Sequence, residues 1–352
     1  MTSKRASVPI PKPPVPYKPN ACFDIRPHEP PPPFGGNSYL EPNPAKWVAH
    51  PWPNFDDAPD TVVEQALQHP PWKTELPSDQ AIRRLKVTQE IRCGDPCNAQ
   101  VVRCDVDGND FVAKIYDPFH IELEKCIDLE LSPTYFAEFF YSCEAAAYKR
   151  ISEKGLDGKY TPSFKGCWYL KRPIYDAEGH LMTYREVRLI LQQFIPGDTM
   201  QNIIERKEVD NIDPEVRMDL LDRVMEAQSQ LAFIGVQTDD MHPRNLMVWK
   251  DANNSNNWQI TLIDFSHSRV RDLPTSTWRI HRLLDTRLPQ SPISCSGRCW
   301  PPRCGGWIPK EFRCDTKQSF DKRLQRMRDR WEGSDQYEPV NEEWMPKYSH
   351  RG

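Results

Sequence analysis

The chain has 352 residues, and no uninterrupted apolar run approaches the roughly 18 residues that a membrane-spanning helix requires. The first residues, Met1–Tyr17, lack the apolar core of a signal peptide. The chain also lacks a large excess of charge of one sign: its formal net charge of −4 provides no basic field for nucleic acid. We therefore expect an intracellular protein, cytoplasmic or nuclear or both, without membrane or nucleic-acid partners, whose eleven cysteines are mostly reduced.

Proline, in contrast, is abundant: its 35 residues are about twice the average usage of about 5%. Many of them fall within residues 1–74, where little periodicity is present. This composition predicts a disordered or polyproline II tail over 1–74, because such a segment cannot bury enough apolar surface to fold. The P-x-x-P spacings of Pro9–Pro16 would suit a proline-binding module. A plain solvated tail is the alternative, and residues 336–352 are also expected to form a tail.

Beyond about residue 81 the sequence becomes periodic. Alternating apolar residues predict β-strands, and Ser132 followed by Pro133 predicts the start of a long helix with apolar residues three and four positions apart. Thr199, Asp213 and Lys317 mark the starts of three further predicted helices. The predicted strands are Leu85–Ile91, Ala99–Val106, Phe111–Tyr116, Phe164–Leu170 and Val187–Ile195.

The stretch Thr238–Phe265 contains the main candidate site. Two short apolar runs flank the polar turn DANNSNN, and this pattern predicts a β-hairpin. Asp240 and Asn245 lie at the entry of this hairpin and Asp264 at its exit, so three oxygen-bearing side chains would converge at one end. Carboxylate and amide oxygens suit a hard cation such as Mg²⁺, which proteins bind through carboxylates together with substrate phosphates. The arrangement is the one that phosphoryl transfer requires.

At these residues the chain resembles the protein-kinase-like superfamily. The segment Asp240–Asn245 (DMHPRN) resembles its catalytic loop, and Ile263–Ser266 (IDFS) resembles its metal-binding D-F-G. The form D-x-H-P-x-N is closer to aminoglycoside and choline phosphotransferases, and to kinase-like proteins of filamentous fungi, than to ordinary protein kinases. Upstream, Val112–Lys114 resembles the V-A-x-K strand of the family. Glu144–Ile151 (EAAAYKRI) resembles the helix whose glutamate pairs with that lysine.

The resemblance implies an α+β fold with two lobes, an antiparallel-sheet N-lobe over 75–195 and a helical C-lobe over 196–335. It implies ATP and Mg²⁺ as cofactors, and a hydroxyl of a protein serine or threonine or of a small molecule as the phosphate acceptor. By the same resemblance, Lys114 holds the nucleotide phosphates, Glu144 positions Lys114, Asp240 orients or deprotonates the acceptor hydroxyl, and Asn245 and Asp264 hold Mg²⁺. Gly94 would lie over the phosphates, and the backbone near Gln193 and Ile195 would bind adenine.

Some positions depart from the family pattern. The loop Arg92–Asn98 has one glycine where G-x-G-x-x-G is expected, and Pro96 has no backbone N–H to donate. Thr238 replaces the usual histidine, Ser266 replaces the glycine of D-F-G, and no A-P-E sequence follows. These departures keep a second hypothesis open: a pseudokinase that retains the fold and acts as a binding or scaffold module.

A third hypothesis concerns cysteines near the C-terminus. Cys295, Cys299, Cys304 and Cys314 could together bind Zn²⁺ and make the chain a zinc-dependent interaction protein. Their spacing, C-x3-C-x4-C-x9-C, differs from that of paired zinc knuckles. A packing segment rich in tryptophan and proline, with incidental thiols, is the interpretation that we favour.

Overall fold

A computed structural model describes residues 10–36, 38–41, 58–75, 77–78, 81–238, 240–251, 254–277, 286–295 and 304–345. These residues form two compact units: the first lies within 1–146 and 164–194, and the second within 147–163 and 195–352. The architecture mixes antiparallel sheets with helices. No helix in the described ranges combines the length and the apolar composition that crossing a membrane requires.

The first unit is built on a closed barrel of six antiparallel strands in the order β1-β2-β3-β4-β6-β5. Side chains of successive residues in a strand point to opposite faces, so alternate residues face the barrel interior. In β3, for example, every second residue is buried. The five predicted strands are therefore confirmed, and β6 begins earlier than predicted. The strands are β1 (Cys22–Pro27), β2 (Arg83–Arg92), β3 (Gln100–Val106), β4 (Asn109–Tyr116), β5 (Phe164–Tyr175) and β6 (Leu181–Gln193).

The prediction of a disordered tail over residues 1–74 is wrong for the part that the structure describes. Strand β1 pairs with both β2 and β5 and so closes the barrel. Tyr17, Phe23 and Ile25 are buried in the barrel core. The segment therefore buries apolar surface on folding, which its high proline content did not indicate. Helix α1 (Ala58–Gln68) also falls in this range. Pro9 lies outside the described residues, and Val15, inside the P-x-x-P stretch, packs against the barrel core.

Helix α3 (Pro133–Glu153) follows the short helix α2 (Leu123–Asp128) and confirms the predicted long helix. Its apolar positions three and four residues apart form a buried stripe that includes Phe136, Phe140 and Cys143.

The second unit contains the longer helices α5 and α7 and three short antiparallel strand pairings. The predicted caps are confirmed: Thr199 accepts a hydrogen bond from Asn202 N–H, and Asp213 accepts one from Glu215 N–H. The elements are β7 (Gly197–Thr199), α4 (Met200–Glu205), α5 (Pro214–Phe233), β8 (Val236–Thr238), β9 (Leu246–Asp251), β10 (Asn254–Leu262), β11 (Ser268–Val270), α6 (Pro292–Cys295) and α7 (Lys317–Trp331).

The start of the predicted C-terminal tail is also ordered. Tyr337 is buried, Glu338 N–H donates to the Pro289 carbonyl at 2.8 Å, and Asn341 N–H donates to Ser294 Oγ at 3.1 Å. The prediction of a tail is therefore wrong for residues 336–345. Residues 346–352 lie outside the described part of the chain.

Candidate functional site

In the first unit, Lys114 and Glu144 form a buried ion pair. Lys114 lies on β4, whose final four residues are all buried, and Glu144 lies on the buried face of α3. Lys114 Nζ is 2.5 Å from Glu144 Oε2, and the two side chains are 10% and 0% exposed. The structure thus brings together the two residues that the sequence places 30 positions apart.

Tyr116 is a third member of this cluster that the sequence analysis missed. Its hydroxyl donates to the same Glu144 Oε2 at 2.5 Å. Tyr116 lies two residues after Lys114 on β4, so both side chains point to one face of the strand. That spacing is the signal that could have identified Tyr116. Two donors on one carboxylate oxygen, one of them charged, hold Glu144 in a single orientation.

In the loop between β2 and β3, the backbone of Gly94 is hydrogen-bonded to the side chain of Gln100. Gly94 N–H donates to Gln100 Oε1 at 2.7 Å, and Gln100 Nε2 donates to the carbonyls of Gly94 at 2.8 Å and His120 at 2.7 Å. Lys12 Nζ also binds Asp95 Oδ1 at 2.7 Å. The phosphate-binding role of Gly94 stays a prediction, and the backbone donor on which it depends is already bonded within the protein.

The two residues predicted to bind adenine, Gln193 and Ile195, lie two positions apart in sequence but belong to different units. Gln193 ends β6, where it pairs with Phe111 of β4. Ile195 is buried at the start of the second unit, and its carbonyl accepts a hydrogen bond from Gly197 N–H at 2.9 Å. Adenine binding at this segment stays a prediction.

In the second unit, the predicted hairpin is confirmed. β9 and β10 are antiparallel, with Leu246 paired to Leu262 at the open end of the hairpin, opposite the turn. The pairing continues by one step, because Ile263 N–H donates to the Asn245 carbonyl at 2.9 Å. The segments flanking the hairpin also meet, since β8 pairs antiparallel with β11. The backbone therefore brings the predicted residues Asn245 and Asp264 to the same end of the hairpin.

The side chain of Asn245 is fixed by Asp240. Its Nδ2 donates to the Asp240 carbonyl at 2.9 Å and to Asp240 Oδ2 at 3.0 Å. Both partners can only accept, so the amide nitrogen must face them and the amide oxygen must point away. Asn245 is 5% exposed, and its Oδ1 accepts no hydrogen bond within the described residues. An oriented amide oxygen of this kind is a suitable ligand for a hard cation.

Asp264 adopts an uncommon backbone conformation. Its φ of 63° lies in the left-handed region, which is unfavourable for residues other than glycine. Ser266 stabilises it: the hydroxyl donates to Asp264 Oδ1 at 2.7 Å, as does Ser266 N–H at 3.3 Å. The following Phe265 is buried and stacks edge-on against Tyr148, with ring centroids 5.2 Å apart.

Arg244 is a second residue that the sequence analysis did not assign. Its Nη2 donates to Asp240 Oδ2 at 2.6 Å, and the Arg244 and Asp240 side chains are 47% and 25% exposed. Pro243 begins the 3₁₀ turn that carries Arg244, and His242 Nδ1 caps this turn by accepting a hydrogen bond from Arg244 N–H at 3.3 Å. Arg244 and Asn245 thus donate hydrogen bonds to the same carboxylate oxygen of Asp240, Oδ2.

The cysteine prediction can be followed only in part. Cys299 and the side chain of Cys295 lie outside the described residues. Cys304 is buried, and burial raises the pKa of its thiol to about 12, which disfavours the thiolate that zinc requires. Cys314 Sγ accepts a hydrogen bond from Arg323 Nη1 at 3.0 Å. Zinc binding stays a prediction.

The similarity of the chain to known proteins is low. No protein-family model matches the chain, and no curated protein matches its sequence. Among solved structures, WaaP in complex with acyl carrier protein is similar with a TM-score of 0.32 and 17% identity, over 53% of this chain and 63% of that chain. Rad53 1–466 in complex with AMP-PNP is similar with a TM-score of 0.34 and 14% identity, over 52% of this chain and 39% of that one. The chain thus spans less than two thirds of either structure.

Proposed function

We propose that the chain is an ATP- and Mg²⁺-dependent phosphotransferase with a two-lobed, protein-kinase-like fold. The observation that carries this proposal is the buried pair of Lys114 and Glu144, with Nζ and Oε2 2.5 Å apart. Burying two charges removes them from water, and replacement of such a pair by apolar residues is often neutral or stabilising. A second function of the Lys114 ammonium group, in addition to its pairing with Glu144, accounts for the presence of this buried pair.

In this proposal Lys114 contacts the nucleotide phosphates, and Glu144 and Tyr116 hold it in place. Glu144 is completely buried and is held by two donors, so it is a rigid support for the lysine. The Lys114 side chain retains 10% exposure, so it is not sealed from solvent. An ammonium has three donors and can bind a carboxylate and a phosphate at the same time.

The hairpin residues of the second unit supply the other roles. Asp240 would orient the acceptor hydroxyl or accept its proton, while the Oδ1 of Asn245 and the carboxylate of Asp264 would hold Mg²⁺. When bound, Mg²⁺ neutralises charge on the nucleotide phosphates. The oxygen-only donor set and the outward orientation of the Asn245 amide oxygen support this assignment.

The acceptor is a hydroxyl, either of a protein serine or threonine or of a small molecule. The D-x-H-P-x-N form of Asp240–Asn245 and the missing A-P-E sequence favour a small molecule or the substrate of an atypical protein kinase. A cytoplasmic or nuclear location belongs to the same proposal.

A pseudokinase that acts as a binding or scaffold module is the second candidate. Two observations favour it. The N–H of Gly94 is bonded to Gln100, and Pro96 has no N–H, so the loop offers few backbone donors to phosphates. In addition, Arg244 occupies the carboxylate of Asp240. Either feature would weaken catalysis while leaving the fold intact.

Thermal unfolding of the full chain with ATP, with and without Mg²⁺, tests the proposal. A ligand at about 100-fold excess over its Kd adds about 2.7 kcal/mol to the free energy of unfolding. At roughly 2–4 °C per kcal/mol for a domain of this size, we expect Tm to rise by about 5–10 °C. The rise should require Mg²⁺ and should be lost in Asp264→Asn, which tolerates the left-handed backbone while removing the charge.

Asp272→Asn is the matched control, because Asp272 is exposed and has a φ of 62°, close to that of Asp264. It should behave like the wild type. Release of ADP in the presence of acceptor hydroxyl compounds then separates the two candidates. A Mg²⁺-dependent shift without ADP release would support the nucleotide-binding pseudokinase, and the absence of any shift at millimolar ATP would reject the phosphotransferase.

A further inference from the structure

The first unit contains a cavity of about 410 Å³ that the proposed function does not use. Its walls come from β5, β6, the end of α1 and the segment that follows α1. The volume is within the range of pockets that hold metabolite-sized molecules. Two buried polar side chains in its wall, those of Arg185 and Tyr169, each keep one group that has no hydrogen-bond partner among the described residues.

Arg185 is held rigidly on three sides. Its Nε and Nη2 donate to the two oxygens of Asp117 at 3.1 and 2.8 Å, and its guanidinium lies 3.9 Å from the ring centroid of Phe119. The side chain is 8% exposed. Its third nitrogen, Nη1, has no hydrogen-bond partner among the residues that the structure describes, yet it is not sealed from solvent. Because Arg185 lines the cavity, we place this donor at the cavity wall.

Tyr169 presents a second group of the same kind. The residue is 7% exposed and lines the cavity, and its ring lies 5.9 Å from the Arg188 guanidinium. Within the described ranges its hydroxyl neither donates nor accepts a hydrogen bond, and it too keeps contact with solvent. The hydroxyl therefore keeps a donor and an acceptor that a ligand atom in the cavity could use.

The remaining charges of the wall favour an anion. Lys73 is exposed, lines the cavity and forms no ion pair with any described residue. The one carboxylate of the wall, that of Glu186, accepts a hydrogen bond from Arg188 Nη1 at 3.0 Å, which offsets its charge. Leu67, Pro70 and Pro71 supply the apolar part of the wall.

We propose that this cavity binds a small molecule in which a carboxylate or phosphate group is joined to an apolar or aromatic body. The anionic oxygens would accept hydrogen bonds from Arg185 Nη1 and the Tyr169 hydroxyl, with Lys73 adding favourable charge at the opening. The body of the ligand would pack on the leucine and prolines. The site consists of first-unit residues other than Lys114 and Glu144, so it does not depend on the proposed function.

Isothermal titration calorimetry of the full chain with phenyl phosphate, benzoate and benzyl alcohol tests this site. The three probes share a ring, and the first two carry the two candidate anionic groups. We expect at least one anion to bind with one-to-one stoichiometry, and benzyl alcohol to bind at least about tenfold more weakly, because it offers no charged acceptor. Which anion binds more tightly identifies the group that the natural ligand carries.

Tyr169→Phe removes one hydroxyl and keeps the ring, so it should weaken anion binding by about tenfold or more while the fold is retained. Tyr175→Phe is the matched control: Tyr175 is on the same strand, is 50% exposed and does not line the cavity, and its substitution should leave the Kd unchanged. The Kd should also be unchanged with millimolar ATP and Mg²⁺ present, which excludes binding of the probes at a nucleotide site. The proposal is overturned by equal binding of benzyl alcohol, by an unchanged Kd in Tyr169→Phe, or by no saturable binding of either anion up to about 10 mM.

Discussion

Selected charged pairs of the two units differ in burial. In the first unit, Lys114 and Glu144 are 10% and 0% exposed, and Arg185 and Asp117 are 8% and 0% exposed. In the second unit, the Asp240 and Arg244 side chains are 25% and 47% exposed. The distances are similar, 2.5 Å for the first of these pairs and 2.6 Å for the last.

Burial, rather than distance, therefore decides what each pair does. A buried pair loses much of its hydration, so removal of one partner leaves an uncompensated charge and destabilises the fold. An exposed pair exchanges protein partners for water at little cost. We infer that these two buried pairs of the first unit hold their charges rigidly, while the carboxylate of Asp240 can change partners during a reaction. The following predictions are arranged by their expected effect on the free energy of unfolding.

The largest effect is expected for Lys114→Met. The substitution removes the positive charge opposite a carboxylate that has no exposure, and it should lower the free energy of unfolding by about 3–5 kcal/mol. Urea denaturation measures the change. Asp110→Asn is the control, because Arg103 and Asp110 form an exposed pair at 2.5 Å and its loss should cost less than about 1 kcal/mol. Equal losses of unfolding free energy in the two variants would refute the conclusion that burial decides how much an ion pair contributes.

Asp117→Asn is expected to cost about 3 kcal/mol at neutral pH, since the amide retains hydrogen bonding to Tyr17 and Arg185. Although burial alone raises the pKa of Asp117, the adjacent Arg185 guanidinium outweighs it and holds that pKa well below the usual range. A carboxyl whose pKa is depressed on folding contributes stability above its unfolded pKa of about 4, and this contribution is lost as the pH falls further.

The difference in stability between the wild type and Asp117→Asn should therefore begin to narrow below about pH 4 and continue to narrow as the pH falls toward the depressed pKa of the folded state, which urea denaturation at several pH values can measure. Asp24→Asn, which removes an exposed partner of Arg84, is the control and should show little difference from the wild type at any pH. A gap that stays constant down to pH 2 would contradict the depressed pKa of Asp117.

Tyr116→Phe should have an intermediate effect of about 1–2 kcal/mol on unfolding, because it deletes one hydrogen bond to a buried charged group. If Tyr116 positions Glu144, and through it Lys114, the variant should also raise the KM for ATP. Tyr184→Phe on β6 is a control, since Tyr184 is 57% exposed. A loss of stability with an unchanged KM would limit Tyr116 to a structural role.

The smallest effect on stability is expected for Arg244→Gln, below about 1 kcal/mol, because the pair with Asp240 is exposed. The substitution frees the Asp240 carboxylate for an acceptor hydroxyl, so phosphoryl transfer should increase by up to about fivefold, the equivalent of about 1 kcal/mol. Initial rates of ADP release measure this change, with Arg206→Gln as an exposed control in the same unit. A large fall in rate would instead show that Arg244 contacts the substrate.

Several elements followed directly from local sequence. The hairpin Leu246–Leu262 was predictable because two apolar runs flank a polar turn, and α3 was predictable from its Ser132-Pro133 start and its apolar stripe. The candidate pair of Lys114 and Glu144 was identified through a resemblance rather than through local pattern. A lysine within an apolar strand and a glutamate beside a helical stripe each have an ordinary structural explanation.

Other features could not be predicted from the local sequence. The strand Cys22–Pro27 was hidden by its proline-rich surroundings, and its pairing partners β2 and β5 lie far away in sequence. The bond between Gly94 and the side chain of Gln100 depends on the exact conformation of a loop, which residue types alone do not determine. Arg244 and Asp240 are four residues apart, but their contact depends on a 3₁₀ turn that only one proline indicates.

By itself, the sequence determined the elements that short-range periodicity and capping encode, and the order along the chain of the residues that could carry phosphoryl transfer. Only the tertiary structure decided which charges are buried, that the N-terminal strand closes a barrel, and that Arg185 and Tyr169 meet at one cavity. The physical reason is that periodicity acts over a few residues. Burial and pairing instead depend on contacts between segments whose separation in sequence carries no information about their distance in space.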